Sequence, residues 1–334
     1  MTSEAPKVAI LDDYAGAALT LADWSGVGDV TVFSDTIADP SALVARLRPF
    51  EVVCIMRERT PLPASILSAL PNLRLVVTTG MRNQSLDIAA AEALGVRVCG
   101  TEIRGTTTAE LTLALILALS RRIPVEAASL AHGSWQTGLG RDLDGLTLGV
   151  IGLGKLGSRT AALAQAFGMR VQAWSQNLTR ERCDEVGVAH APTLGALLET
   201  SDVVSVHLLL SERTRGLLGA AEFAAMKPDA IFVNTSRAPI ADAAALVESM
   251  RRGRPGMAAL DVFDEEPLPA GSPLRDRALM ESGRLLLTPH LGYATQATFR
   301  LFYEQTAEAV RAWRAGAPVR ALNEPTRDQD SASR

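Results

Sequence analysis

Gly152, Gly154 and Gly157 stand in a G-x-G-x-x-G spacing between an apolar run at 146–151 and a stretch of helical pattern at 155–167. That spacing suits recognition of a dinucleotide pyrophosphate. The first glycine permits a tight turn, the second lets the backbone approach a phosphate, and the third lets the helix lie close to the strand. Lys155 and Leu156 open the helix, so their amides would face the anion together with the positive end of the helix dipole. Three further segments end in groups able to bind and protonate a small acid: Ile231-Phe-Val-Asn-Thr-Ser-Arg237, Leu260-Asp-Val-Phe-Asp-Glu-Glu-Pro267 and Leu286-Leu-Thr-Pro-His290-Leu-Gly292. A guanidinium such as that of Arg237 can clamp a carboxylate bidentately and polarise a neighbouring carbonyl. A histidine such as His290 can give or take a proton near neutrality, and a carboxylate such as Glu266 would hold its tautomer. With a hydride carrier, this set suffices to interconvert an alcohol and a ketone beside a carboxylate.

Taken singly, each residue also has a structural reading. Arg237 could cap a helix or pair at the surface, Glu266 could belong to a solvated patch with Asp264 and Glu265, and His290 could satisfy a loop carbonyl. Three reactive types following three separate strands favour the chemical reading. His132, His190 and His207 read as loop, strand-end and structural residues.

The elements that must position these groups form two α/β blocks. Short apolar runs at 8–11, 30–33, 52–55, 73–78 and 96–99 alternate with helical patterns such as 41–47 and 87–94, which implies βαβ units and a mostly parallel sheet. A long helix is expected at 107–122. The alternation then resumes with runs at 147–151, 171–174, 203–208, 230–233, 257–260 and 285–288. A last helix at 295–314 has length enough to return to the N-terminal block. The expected fold class is α/β: two Rossmann-like or flavodoxin-like domains with doubly wound parallel sheets and an interdomain cleft, where small ligands commonly bind. The expected bounds are 1–101 with 295–334 for a discontinuous substrate domain and 102–294 for the dinucleotide-binding domain.

Composition excludes several alternatives. A formal charge of -4 with dispersed Lys and Arg gives no footprint for nucleic acid or an anionic membrane surface. The apolar stretch 111–119 is too short to span a bilayer. The opening residues 1–7 lack the pattern of a secretory signal. Cys54, Cys99 and Cys183 are odd in number and widely spaced, which suits a reducing cytoplasm better than a disulfide framework or a metal site. The polar tail at 325–334 is expected to fray.

Gly152 to Gly157, Asn234-Thr-Ser-Arg237, Leu260-Asp-Val-Phe-Asp-Glu-Glu-Pro-Leu268 and Thr288-Pro-His-Leu-Gly292 occur in the order of the signatures of the D-isomer-specific 2-hydroxyacid dehydrogenases, which this chain resembles over most of its length. The resemblance implies a nicotinamide-dependent oxidoreductase acting on a D-2-hydroxyacid and 2-oxoacid pair, working as a 2-oxoacid reductase, and usually paired as a homodimer through the Rossmann domain. It further implies that Arg237 binds the substrate carboxylate and 2-oxo group. His290 would be the acid and base, with Glu266 orienting it. Asp261 and the region of Thr235 and Ser236 would hold the nicotinamide amide. The related formate dehydrogenases place Gln where this chain has Glu266, which argues against that activity. Dinucleotide-sensing corepressors share the fold and the same three residues, so a binding protein without turnover is the alternative.

Departures from the family pattern affect substrate and cofactor. The substrate loop reads Gly80-Met-Arg-Asn83, with Met81 and Arg82 replacing the family's small residues. Arg57 also follows a strand of the first block. If both arginines face the cleft, the substrate carries a second anionic or polar group. Ser175 stands where the family usually has an acidic residue that would repel a 2′-phosphate. With Gln176, Asn177, Thr179 and the nearby Arg180 and Arg182, the turn is expected to use NADP(H) at least as well as NAD(H).

Overall fold

The computed structural model describes residues 5–325, so residues 1–4 and 326–334 of the opening and the tail lie outside it. The chain forms two compact units, one from Met1–Arg104 with Ala294–Arg334 and the other from Gly105–Tyr293.

The first unit carries β1 (Lys7–Ile10), β2 (Asp29–Val32), β3 (Val52–Ile55), β4 (Leu75–Thr78) and β5 (Arg97–Gly100) in the order β2-β1-β3-β4-β5. Every pairing is parallel. The central strands β3 and β4 are buried along their whole length, as expected for a parallel sheet covered on both faces. The helix Gln296–Arg314 packs on β4 and β5 of this unit. Its apolar stripe buries Phe299, Phe302, Tyr303 and Val310, and the Tyr303 hydroxyl donates to Asp13 Oδ1 at 3.1 Å.

The second unit holds β6 (Thr147–Ile151), β7 (Arg170–Trp174), β8 (Ala189–His190), β9 (Val203–Val206), β10 (Ile231–Asn234), β11 (Met257–Leu260) and β12 (Leu285–Leu287). Their order is β12-β11-β10-β9-β6-β7-β8, all parallel. The first strand, β6, thus lies between β7 and β9. The connections leave in opposite directions there, and the carboxyl ends form the crevice of a doubly wound sheet. The helix Thr107–Ser120 is apolar nearly all round and covers β10 and β11.

The helix expected at 107–122 is Thr107–Ser120, and a second helix, not expected from the sequence, follows it. Arg122 takes φ +56 and Ile123–Ala131 starts anew with Pro124 in its first turn. Proline lacks the amide a continuing helix needs, so it was the available signal. Leu194–Thr200, Ala220–Ala225 and Ala243–Arg251 were not read from the sequence, two of them being only two turns or less.

Candidate active site

Two of the three glycines are demanded by the fold itself. Gly152 has φ +102, and a Cβ there would lie 2.8 Å from the His207 carbonyl oxygen; one on Gly157 would lie 2.0 Å from that of Gly152. Gly154 differs, because a Cβ would meet nothing within 4 Å. A side chain at 154 is therefore compatible with the protein alone and would fill the space before the helix Lys155–Ala166. That helix has no side-chain cap, so its first amides lack protein partners and suit an anion. The residues present fit a dinucleotide. The Lys155 side chain turns back onto Gly105, and Leu156 is half-buried.

A cavity of about 420 Å³ adjoins the turn, lined among others by Gly152, Gly154, Ser175, Asn177, His207 and Arg213. His207 Nε2 lies 2.9 Å from Ser205 Oγ. Desolvation takes its imidazole down to about 4, so the ring is neutral at physiological pH.

The turn after β7 departs from expectation in detail. The Thr179 hydroxyl caps the helix Arg180–Val186 by accepting from the Arg182 amide at 3.2 Å. Arg182 pairs with Glu185 at 2.8 Å and donates to Ser158 Oγ at 3.3 Å. A cation at the cavity beside the turn is Arg213, from the loop after β9, a position that no local signal in the sequence marks. Its Nη2 donates to Asn177 Oδ1 at 3.2 Å, and its carbonyl accepts from Gln176 Nε2 at 3.1 Å.

Because β10, β11 and β12 are neighbours in register, the loops bearing Arg237, Glu266 and His290 leave the same edge of the sheet. Asn234, buried at the end of β10, shapes the first loop. Its Oδ1 accepts from the Ser236 amide at 3.0 Å and its Nδ2 donates to the Arg237 carbonyl at 3.1 Å. Thr235 is buried with its hydroxyl 2.8 Å from that of Thr112, and Ser236 donates to the Leu208 carbonyl. Arg237 is half-buried, with Nη1 donating to the Ser236 carbonyl at 2.8 Å.

Glu266 and His290 meet directly, Nδ1 lying 2.7 Å from Oε2. The carboxylate is anchored by its other oxygen, which accepts from the Phe263 amide at 3.1 Å. Asp264 and Glu265 are exposed, so the acidic patch divides into two solvated members and one built into the site. The pairing places a proton on Nδ1 and leaves Nε2 for a reacting oxygen. His290 has φ +54, a left-handed conformation costing a non-glycine residue about 1–2 kcal/mol.

Asp261 holds that conformation in place. Its Oδ1 accepts from Thr288 Oγ1 at 2.6 Å and the Leu291 amide at 2.7 Å, and its Oδ2 from the Gly292 amide at 2.8 Å. Burial pushes its carboxyl above the usual carboxylate value, against the pull of these bonds. The side chain is fully buried and bonded through both oxygens to the histidine loop.

In the first unit, Arg57 has φ +53 and lies against Gly80, whose added Cβ would be 2.3 Å from Arg57 Nη1. Asn83 Nδ2 donates to the Arg57 carbonyl at 2.7 Å and so ties the end of β3 to the loop after β4. Met81 and Arg82 are exposed on that loop. Among the described residues no helix is long and apolar enough to cross a membrane, and no cluster could hold a metal ion. The three cysteines are free and buried.

The model of the "D-isomer specific 2-hydroxyacid dehydrogenase, NAD binding domain" family matches residues 113–292. A glyoxylate reductase of Aeropyrum pernix is 39% identical over 75% of this chain and 76% of its own length. A D-3-phosphoglycerate dehydrogenase of Archaeoglobus fulgidus is 34% identical over 85% of this chain, which spans only 53% of that longer relative. The crystal structure of a phosphoglycerate oxidoreductase from Vibrio cholerae matches 93% of this chain and 100% of its own, with TM-score 0.87 and 38% identity.

Proposed function

Since the chain belongs to the D-isomer-specific 2-hydroxyacid dehydrogenase family, we propose that it reduces a 2-oxoacid to the D-2-hydroxyacid through the set Arg237, Glu266 and His290. The observation that carries this reading is the 2.7 Å bond between His290 Nδ1 and Glu266 Oε2. Gly152, Gly154 and Gly157 would hold the pyrophosphate of a reduced nicotinamide dinucleotide, which would supply the hydride taken up at C2. Arg237 holds the substrate carboxylate and polarises the 2-oxo group. His290 Nε2 gives a proton to the carbonyl oxygen, so one hydride and one proton convert the ketone to the alcohol. Glu266 fixes the tautomer by accepting from Nδ1, which keeps Nε2 turned to the reacting oxygen. Asp261 and Asn234 act behind these groups by shaping the loops that present them. In the reverse direction His290 takes the proton back.

The Gly80 loop with Met81, Arg82 and the adjoining Arg57 forms the substrate-binding part of the first unit, and its two arginines favour an acid with a second anionic or polar group. The cofactor is NAD(P), with NADP(H) used at least as well as NAD(H), because Ser175, Gln176 and Asn177 present no carboxylate to a 2′-phosphate. The protein works as a cytoplasmic homodimer. Supporting that pairing, Ile123–Ala131 buries none of its residues although it carries Ile, Val and Leu, and Trp135 beyond it is 79% exposed. The test is a spectrophotometric screen of glyoxylate, hydroxypyruvate, pyruvate and bulkier 2-oxoacids with both reduced cofactors. Oxidation of either cofactor by any of them supports the reading, and binding without turnover would favour a dinucleotide sensor.

A further inference from the structure

We propose that Arg213 recognises the 2′-phosphate of NADP(H), so that cofactor choice is set by the loop after β9 as well as by the turn after β7. The inference rests on the dinucleotide reading and adds to it the residue that supplies positive charge. Among the residues lining the cavity beside the glycine turn, Arg213 is the sole cation once His207 is neutral, and none is a carboxylate. A phosphate in this cavity would meet one guanidinium and no opposing anion.

The placement of Arg213 is fixed from both of its ends. Its carbonyl is bound by Gln176 and its guanidinium by Asn177, two residues of the turn where the adenosine ribose would lie. The loop that carries it is closed on itself. Thr214 Oγ1 donates to the Leu209 carbonyl at 2.7 Å and accepts from the Ser211 amide at 2.8 Å. The bond to Asn177 Oδ1 joins a charged donor to a neutral acceptor at 3.2 Å. A phosphate oxygen would be a stronger partner for the same guanidinium, because both groups are then charged. Arg182 is not equivalent, being paired with Glu185 on the adjoining helix.

The experiment is calorimetric titration of the full chain with 2′,5′-ADP and with 5′-AMP, which differ only in the 2′-phosphate. Wild type should bind 2′,5′-ADP at least tenfold more tightly. Arg213→Ala should weaken 2′,5′-ADP by about 10- to 100-fold, the usual range for one lost charge-assisted contact, and leave 5′-AMP unchanged. Arg213→Lys should recover part of the loss. Equal weakening of both nucleotides would mean that Arg213 stacks on the adenine, and no weakening would mean that it faces solvent. Either result overturns the proposal while leaving the dinucleotide site standing. Failure of wild type to bind either nucleotide would overturn the site itself.

Discussion

Replacing Asp261 tests whether the histidine loop is held by one buried carboxylate. In Asp261→Ala three donors lose their acceptor, the Thr288 hydroxyl and the amides of Leu291 and Gly292. A buried donor left unsatisfied costs about 1–3 kcal/mol, so the sum approaches the whole stability of an ordinary domain, about 5–15 kcal/mol. Asp261→Asn is the more informative change. Its remaining oxygen can still accept from Thr288 and Leu291, while its amide group opposes the Gly292 amide, donor against donor. The expected loss is about 1.5–3 kcal/mol, the value of one hydrogen bond to a charged group. His290 keeps its left-handed backbone only while this frame holds, and an ångström of misplacement can cost about a hundredfold in rate. Asp261→Asn should therefore accelerate amide exchange at Leu291 and Gly292 and lower kcat by tenfold or more, with little change in nucleotide affinity. Unchanged exchange with weakened nucleotide binding would refute the argument and return Asp261 to a direct cofactor contact.

Glu266→Gln should change the pH dependence of reduction more than its maximal rate, since the amide can still orient Nδ1 but carries no charge; an unaltered profile would count against the pairing. Arg237→Ala should raise KM for the acid and lower its reduction, by an amount matching about 1.5–3 kcal/mol in kcat/KM, and equal kinetics in both proteins would exclude the clamp. Burial takes the His207 imidazole from its ordinary 6.5 down to about 4. As pH falls below 6.5 the unfolded chain takes up a proton that the native ring refuses until pH 4, so native stability drops across that window by up to about 3 kcal/mol. Urea unfolding should show this slope in wild type and a smaller one in His207→Asn, and identical slopes would contradict it.

The parallel sheets and the three reactive groups could be read from the chain because each signal was local. Val52–Ile55 and Leu75–Thr78 are unbroken apolar runs, which is how strands buried on both faces appear. Arg237, Glu266 and His290 each follow such a run within a few residues. Residues that act across the sheet order were harder to see. Arg213 lies 36 residues from Asn177 and meets it only because β9 and β7 flank β6. The bonds by which Asn234 and Asp261 shape the loops after β10 and β12 join residues far apart in sequence or depend on loop geometry, and no local pattern announces them. Thr179 looked free to bind phosphate but begins a helix that needs its oxygen.

Whether His290 supplies the proton is decided by single-turnover reduction of the best 2-oxoacid by His290→Ala, with nucleotide affinity measured on the same preparation. The rate should fall by about 10²- to 10⁴-fold while the nucleotide dissociation constant stays unchanged. Reduction at nearly the wild-type rate across the pH range would show that His290 does not supply the proton.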